Sequence, residues 1–242
     1  MNTNEQTPKT GSNGPNWTVF GIVALFGAGL VASGVMRHLH LRAEDPGALT
    51  GYSTAIYIGL TILAAVLLQR AAVPMKRLGF GGGFKPARYL ILAAVGVGFI
   101  QLTGMLLEPI WERVFGGGRD LERFSGVAGS PVALFKLMAL NWTVAAFGEE
   151  LAFRIVLMRG IAFALGDSRM AFGVALIVQA VIFGLVHMYQ GPTGIVGASI
   201  NGLIFGALTL AARGSIWPAA IAHGSSNSIG IMEMYLGNQA LG

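Results

Sequence analysis

Apolar runs close to twenty residues long recur along this chain, at about Trp17–Met36, Tyr52–Gln69, Tyr89–Leu107, Pro131–Leu165, Ala171–Met188, Thr193–Ala212 and Ile216–Leu236. About twenty helical residues cross the roughly 30 Å hydrocarbon core of a bilayer. Within that core each backbone N–H and C=O has to be bonded internally, as a helix does. The expected fold class is therefore all-α, a polytopic transmembrane bundle of about seven spans, within a range of six to eight. Composition agrees: 54% of residues are hydrophobic and 11% charged, against about 25% charged in an ordinary soluble domain.

A single compact domain preceded by a tail is expected. Residues 1–16, MNTNEQTPKTGSNGPN, are polar, lack the arrangement of a signal peptide, and read as a disordered tail. Residues 17–242 form a single transmembrane domain. The chain has no cysteine, which excludes disulfides and thiol catalysis. Its net charge of +5 does not argue for nucleic acid, because many of the basic residues cluster between spans, as topology determinants do. Arg70, Lys76, Arg77, Lys85 and Arg88 share one loop, and with seven spans Lys9, Arg159, Arg169 and Arg213 fall on the same side. That side, and the amino terminus, are expected to be cytoplasmic.

Three local features carry structural expectations. The fourth run is too long for a simple crossing, since 35 residues of α-helix would measure about 52 Å, so it should contain an interfacial portion, a kink or a break. The polar stretch from Glu108 to Ser130 reads as a loop with a short amphipathic helix. Its Gly116-Gly117-Gly118 run could act as a gate, but an ordinary connector is the favoured reading. In the sixth run Ala198, Gly202 and Gly206 recur every four residues, the small-residue spacing that lets membrane helices approach closely.

The chemistry lies in what interrupts the apolar runs. Glu149 and Glu150 fall near the middle of the fourth, with Arg154 one turn on. An ionised side chain at that depth costs about 2.5–3.5 kcal/mol on insertion scales and needs a partner. If the fourth and fifth runs turn near Asp167, the glutamates and His187 lie about 26–30 Å along their helices from the turn and reach similar depth. His223 enters from the last run with Asn227 one turn later, and Phe183 precedes His187 by four.

Glu150 and Arg154, spaced i,i+4 with the acid first, are set for an ion pair. Glu149 points about 100° away and lacks that partner, so it is the candidate general base. His187 could share the water that it deprotonates. His223 and Asn227 offer N–H donors to a developing oxyanion. Each clue has a plainer alternative. The Glu-Glu-Arg cluster could be an interfacial ion pair, His187 a boundary histidine, and His223 a packing residue bonded to serine. Asn141, Gln179 and Asn201 read as interhelical hydrogen-bonding groups rather than catalysts.

Taken together, Glu149-Glu150-Leu-Ala-Phe-Arg154, Phe183-Gly-Leu-Val-His187 and His223-Gly-Ser-Ser-Asn227 resemble the three ordered motifs of the CPBP family. These are the type II CAAX prenyl endopeptidase-like and bacteriocin-processing (Abi) intramembrane proteases. The resemblance covers a core at about 131–231. It implies an intramembrane endopeptidase acting on membrane-associated peptides or proteins within the lipid bilayer. Glu149 and His187 would activate the water, and His223 with Asn227 would stabilise the oxyanion. Glu150, Arg154 and Phe183 would support the site. Members are commonly labelled metalloproteases, and Glu149, His187 and His223 are candidate Zn²⁺ donors with an open water position. No His-Glu-x-x-His helix is present, and a metal-free glutamate mechanism is slightly preferred. In a prokaryote the location would be the plasma membrane. The rival readings are a proton- or ion-coupled transporter using the same groups as a relay and a non-catalytic immunity or scaffold protein.

Overall fold

The computed structural model describes residues 15–42, 49–74 and 85–237, and all regular structure among them is helical. Eight α-helices follow in order: α1 (Trp17–Leu41), α2 (Leu49–Arg70), α3 (Pro86–Phe115), α4 (Pro131–Leu140), α5 (Arg159–Ala164), α6 (Arg169–Val186), α7 (Gly191–Ala211) and α8 (Trp217–Tyr235). Six helical stretches are long and apolar enough to cross a membrane, the fourth of them running unbroken from Pro131 to Ala164. The seventh expected run is α8, which is not among the six. Its middle carries His223, Ser225, Ser226, Asn227 and Ser228, which lower its hydropathy. The polar tail falls almost wholly outside the described residues, as do Lys76 and Arg77 of the basic loop.

The fourth run differs instructively from expectation. The helix does not break: between α4 and α5 the chain stays helical through two π-helical stretches, Asn141–Glu149 and Leu151–Met158. A π turn closes i→i+5 bonds and takes in more residues than an α turn, so the same number of residues advances less along the axis. Side chains share in satisfying this backbone. Thr143 donates to Ala139 O at 2.6 Å, and Tyr57 of α2 donates to Gly148 O at 3.3 Å.

The predicted hairpin turn is formed at Gly166 and Asp167, both with positive φ, and Ser168 caps α6 by accepting the Ala171 N–H. The polar stretch divides in two. α3 continues through Pro109 to Phe115, and a 3₁₀ turn follows at Glu122–Val127. Gly116 ends α3 in the left-handed conformation (φ 79°) while its N–H bonds Glu112 O, a terminator that glycine adopts without the Cβ penalty. Three bonds then tie the segment down: Thr193 Oγ1 to Gly117 O (2.6 Å), Asp120 N to Gln190 O (3.0 Å) and Gly129 N to Tyr235 O (2.9 Å). This is a docked connector.

The small-residue stripe brings α7 onto α6. A Cβ on Gly202 would stand 3.0 Å from Ala180 Cα, and one on Gly206 would meet the Leu176 side chain at 2.4 Å. Gly202→Val is therefore expected to cost about 1–3 kcal/mol through overpacking, read as a lowered unfolding midpoint in detergent. A midpoint equal to wild type would show that the helices are not held this closely. Facing outward, α3 exposes Leu90, Ile91, Phe99 and Met105. Such a patch is a liability in water but is ordinary against lipid tails.

Candidate active site

The two adjacent glutamates are separated by the helix into different environments. Glu150 is fully buried, and its carboxylate bridges two elements: Oε2 lies 3.1 Å from Arg154 Nε, and Oε1 is 3.0 Å from His223 Nδ1 of α8. The spacing-derived ion pair is thus formed, and a histidine joins it. A carboxylate only accepts, so Nδ1 of His223 carries its proton toward Glu150 and leaves Nε2 as the nitrogen available to a ligand.

Arg154, also with no exposure, donates from Nη2 to Gly202 O at 3.2 Å. Its guanidinium is surrounded by the rings of Phe183 (4.8 Å), Phe205 (5.2 Å) and Phe153 (5.8 Å). Such cation–π contacts are worth about 0.5–2 kcal/mol each. Phe183 also packs on both imidazoles, with ring centroids 4.7 Å from His187 and 6.0 Å from His223, while Phe205 stacks on His223 at 4.6 Å. Phe183 is therefore an aromatic spacer joining the ion pair to the two histidines.

Glu149 faces the other way. It lines a cavity of about 1000 Å³ shared with His187, His223 and Asn227. It also lines a small adjoining hollow of about 30 Å³, enclosed with Ser33, Arg37, Thr54, Tyr57 and His187. That volume accommodates about one or two waters. Glu149 Oε2 is buried and meets no hydrogen-bond partner in the protein. His187 lies where α6 ends, close enough to interact electrostatically with Glu149. Its Nδ1 is 2.7 Å from Phe183 O. A carbonyl only accepts, so Nδ1 is the protonated nitrogen and Nε2 keeps a lone pair for water. Asn227 is exposed on the cavity side of α8.

The lesser polar residues divide. Asn141 Nδ2 donates to Gly224 O (2.9 Å) and Ser228 Oγ (3.1 Å), and Gln179 Nε2 to Gly202 O (2.9 Å), both interhelical as expected. Asn201 instead lines the cavity. No group of three or more His, Asp or Glu among the described residues is placed to hold a metal ion.

Sequence reasoning missed the contributions of α1 and α2. Ser33, Arg37, Thr54 and Tyr57 wall the small hollow, yet none belongs to a motif and a lone polar residue in a span gives little signal. Tyr57 adds the bond to Gly148 O, the carbonyl just before Glu149. Tyr57→Phe is expected to lower stability by about 0.5–1.5 kcal/mol and to slow turnover severalfold by loosening that turn. Thermal unfolding and kcat measured together would check this, and unchanged kcat would deny the tyrosine a positioning role.

Membrane-length helices around a polar, acid- and imidazole-lined interior define an integral, multi-pass membrane protein. Residues 131–229 match the family model described as Rce1-like, type II CAAX prenyl endopeptidase Rce1-like. The match is confined to that segment, about two-fifths of the chain. No curated protein and no solved structure matches the chain.

Proposed function

We propose that the protein hydrolyses peptide bonds of membrane-associated substrates with a water activated by Glu149 and His187, without a metal. The observation that carries this reading is the water-sized hollow enclosed by Glu149, whose buried carboxylate oxygen has no partner, and by His187. Glu149 takes a proton from the water while His187 Nε2 accepts its other hydrogen bond. The hydroxide adds to the peptide carbonyl carbon, and its oxygen becomes an oxyanion. Asn227 and His223 stabilise that oxyanion, His223 being held at Nδ1 by Glu150. Preorganised donors of this kind are commonly the largest catalytic term. The proton held by Glu149 then passes to the departing amine nitrogen, and the C–N bond breaks to give a carboxylic acid and an amine.

Glu150, Arg154 and Phe183 hold these groups in place. The catalytic core is assigned to about 131–231, and in a prokaryotic cell the setting would be the cytoplasmic membrane. The test compares membranes from cells carrying the wild-type protein or Glu149→Ala by proteomics. An uncleaved membrane protein should accumulate only with the variant. Identical membrane proteomes, together with wild-type-like peptide cleavage by purified Glu149→Ala, would refute the assignment.

A further inference from the structure

We propose that Arg37 and Arg123, set on the ring of Tyr189 at the cavity rim, form a subsite for a carboxylate of the substrate. The inference rests on the peptidase reading above and adds a binding determinant to it. Three arginines line this rim, and one is already committed: Arg119 pairs with Glu108 through two nitrogens. The other two are held differently. Arg37 Cζ lies 5.6 Å from the Tyr189 ring centroid and Arg123 Cζ 4.9 Å from it. Neither guanidinium forms an ion pair with a carboxylate among the described residues. Arg37 donates to the Ser53 hydroxyl at 3.3 Å, and Arg123 otherwise meets the ring of Phe124 at 4.7 Å.

Two like charges converging on one ring repel each other, and an anion between them relieves that repulsion. Guanidinium forks match a carboxylate in two-point geometry and make stronger bonds to it than neutral donors do. The placement also limits where the anion falls on the substrate. Tyr189 is 5.9 Å from His187, ring to ring, and Arg37 itself lines the water-sized hollow with Glu149 and His187. Each guanidinium is thus within about 12 Å of the imidazole, a reach of about three extended residues. The carboxylate would lie that close to the cleaved bond. It could be an acidic side chain or the free C-terminus of the peptide.

Binding to the full chain in neutral-lipid nanodiscs tests this without relying on turnover. The probes are one apolar fluorophore-labelled hexapeptide prepared as the free acid, as the C-terminal amide, and as the amide with one internal glutamate. Glu149→Ala protein prevents cleavage during the measurement. At least one carboxylate-bearing probe should bind about tenfold more tightly than the plain amide, and which one identifies the source. With R37Q/R123Q added, all the probes should fall to the affinity of the amide. R123Q alone spares the Arg37–Ser53 bond and should lose part of the preference, which controls for misfolding. Equal affinity for all three probes, or a preference that survives in the folded double variant, would overturn the subsite. Neither result bears on hydrolysis, which stands or falls on cleavage by the wild-type protein.

Discussion

Glu149→Gln is expected to lower peptide hydrolysis by about a hundredfold or more while the helices stay folded. General-base catalysis by a positioned side chain is worth about 10²–10⁴ in rate, and the amide cannot take the proton from water. The structure gives reason to expect little effect on folding. One Glu149 oxygen is buried without a hydrogen-bond partner, and the side chain lines cavities rather than joining helices. Turnover of a membrane peptide by purified protein, set beside its unfolding midpoint, gives both readouts. A variant with wild-type turnover would remove Glu149 from the mechanism. A variant that simply unfolds would show that the residue is structural.

Its neighbour should behave in the opposite way. Glu150→Ala leaves the Arg154 guanidinium at zero exposure with no carboxylate, and it takes from His223 the acceptor of its Nδ1–H. Breaking a buried pair from one side costs about 3–5 kcal/mol, because the remaining charge is uncompensated. The phenylalanine rings around Arg154 soften that cost but do not supply a counter-charge. Replacing both partners together, as in Glu150→Leu with Arg154→Met, should recover much of the lost stability, since apolar pairs of similar volume often substitute well. Cleavage should not return, because His223 would still lack its acceptor. Unfolding midpoints of the single and double variants, read with turnover, separate these outcomes. A single variant as stable as wild type would mean that the Glu150–Arg154 pair contributes little.

The contrast between adjacent glutamates shows what sequence spacing could and could not reveal. An i,i+4 acid and base in an apolar run announce an ion pair, and the pair is present. The spacing did not show that Glu150 also holds His223, because that contact joins residues 73 apart in the chain. The hairpin at Asp167 was legible because turn residues separate two long runs. The π-helical widening of the fourth run was not, since its apolar pattern is compatible with any helical winding and the excess length was read as an interfacial portion, a kink or a break. The seventh run was legible as a helix. Its mean hydropathy was diluted by polar residues, of which His223, Ser226 and Asn227 line the cavity. Arg37 and Tyr57 were illegible as site residues because only tertiary packing brings α1 and α2 to Glu149.

That packing sets a limit on how the molecule could be divided. A fragment starting at Pro131 would retain every motif glutamate, histidine and asparagine, yet Ser33, Arg37, Thr54 and Tyr57 would be gone from the hollow's wall. Solvent would then wash through a compartment that now admits only a molecule or two. Grafting the motif-bearing half onto unrelated spans would transplant the reagents without the vessel.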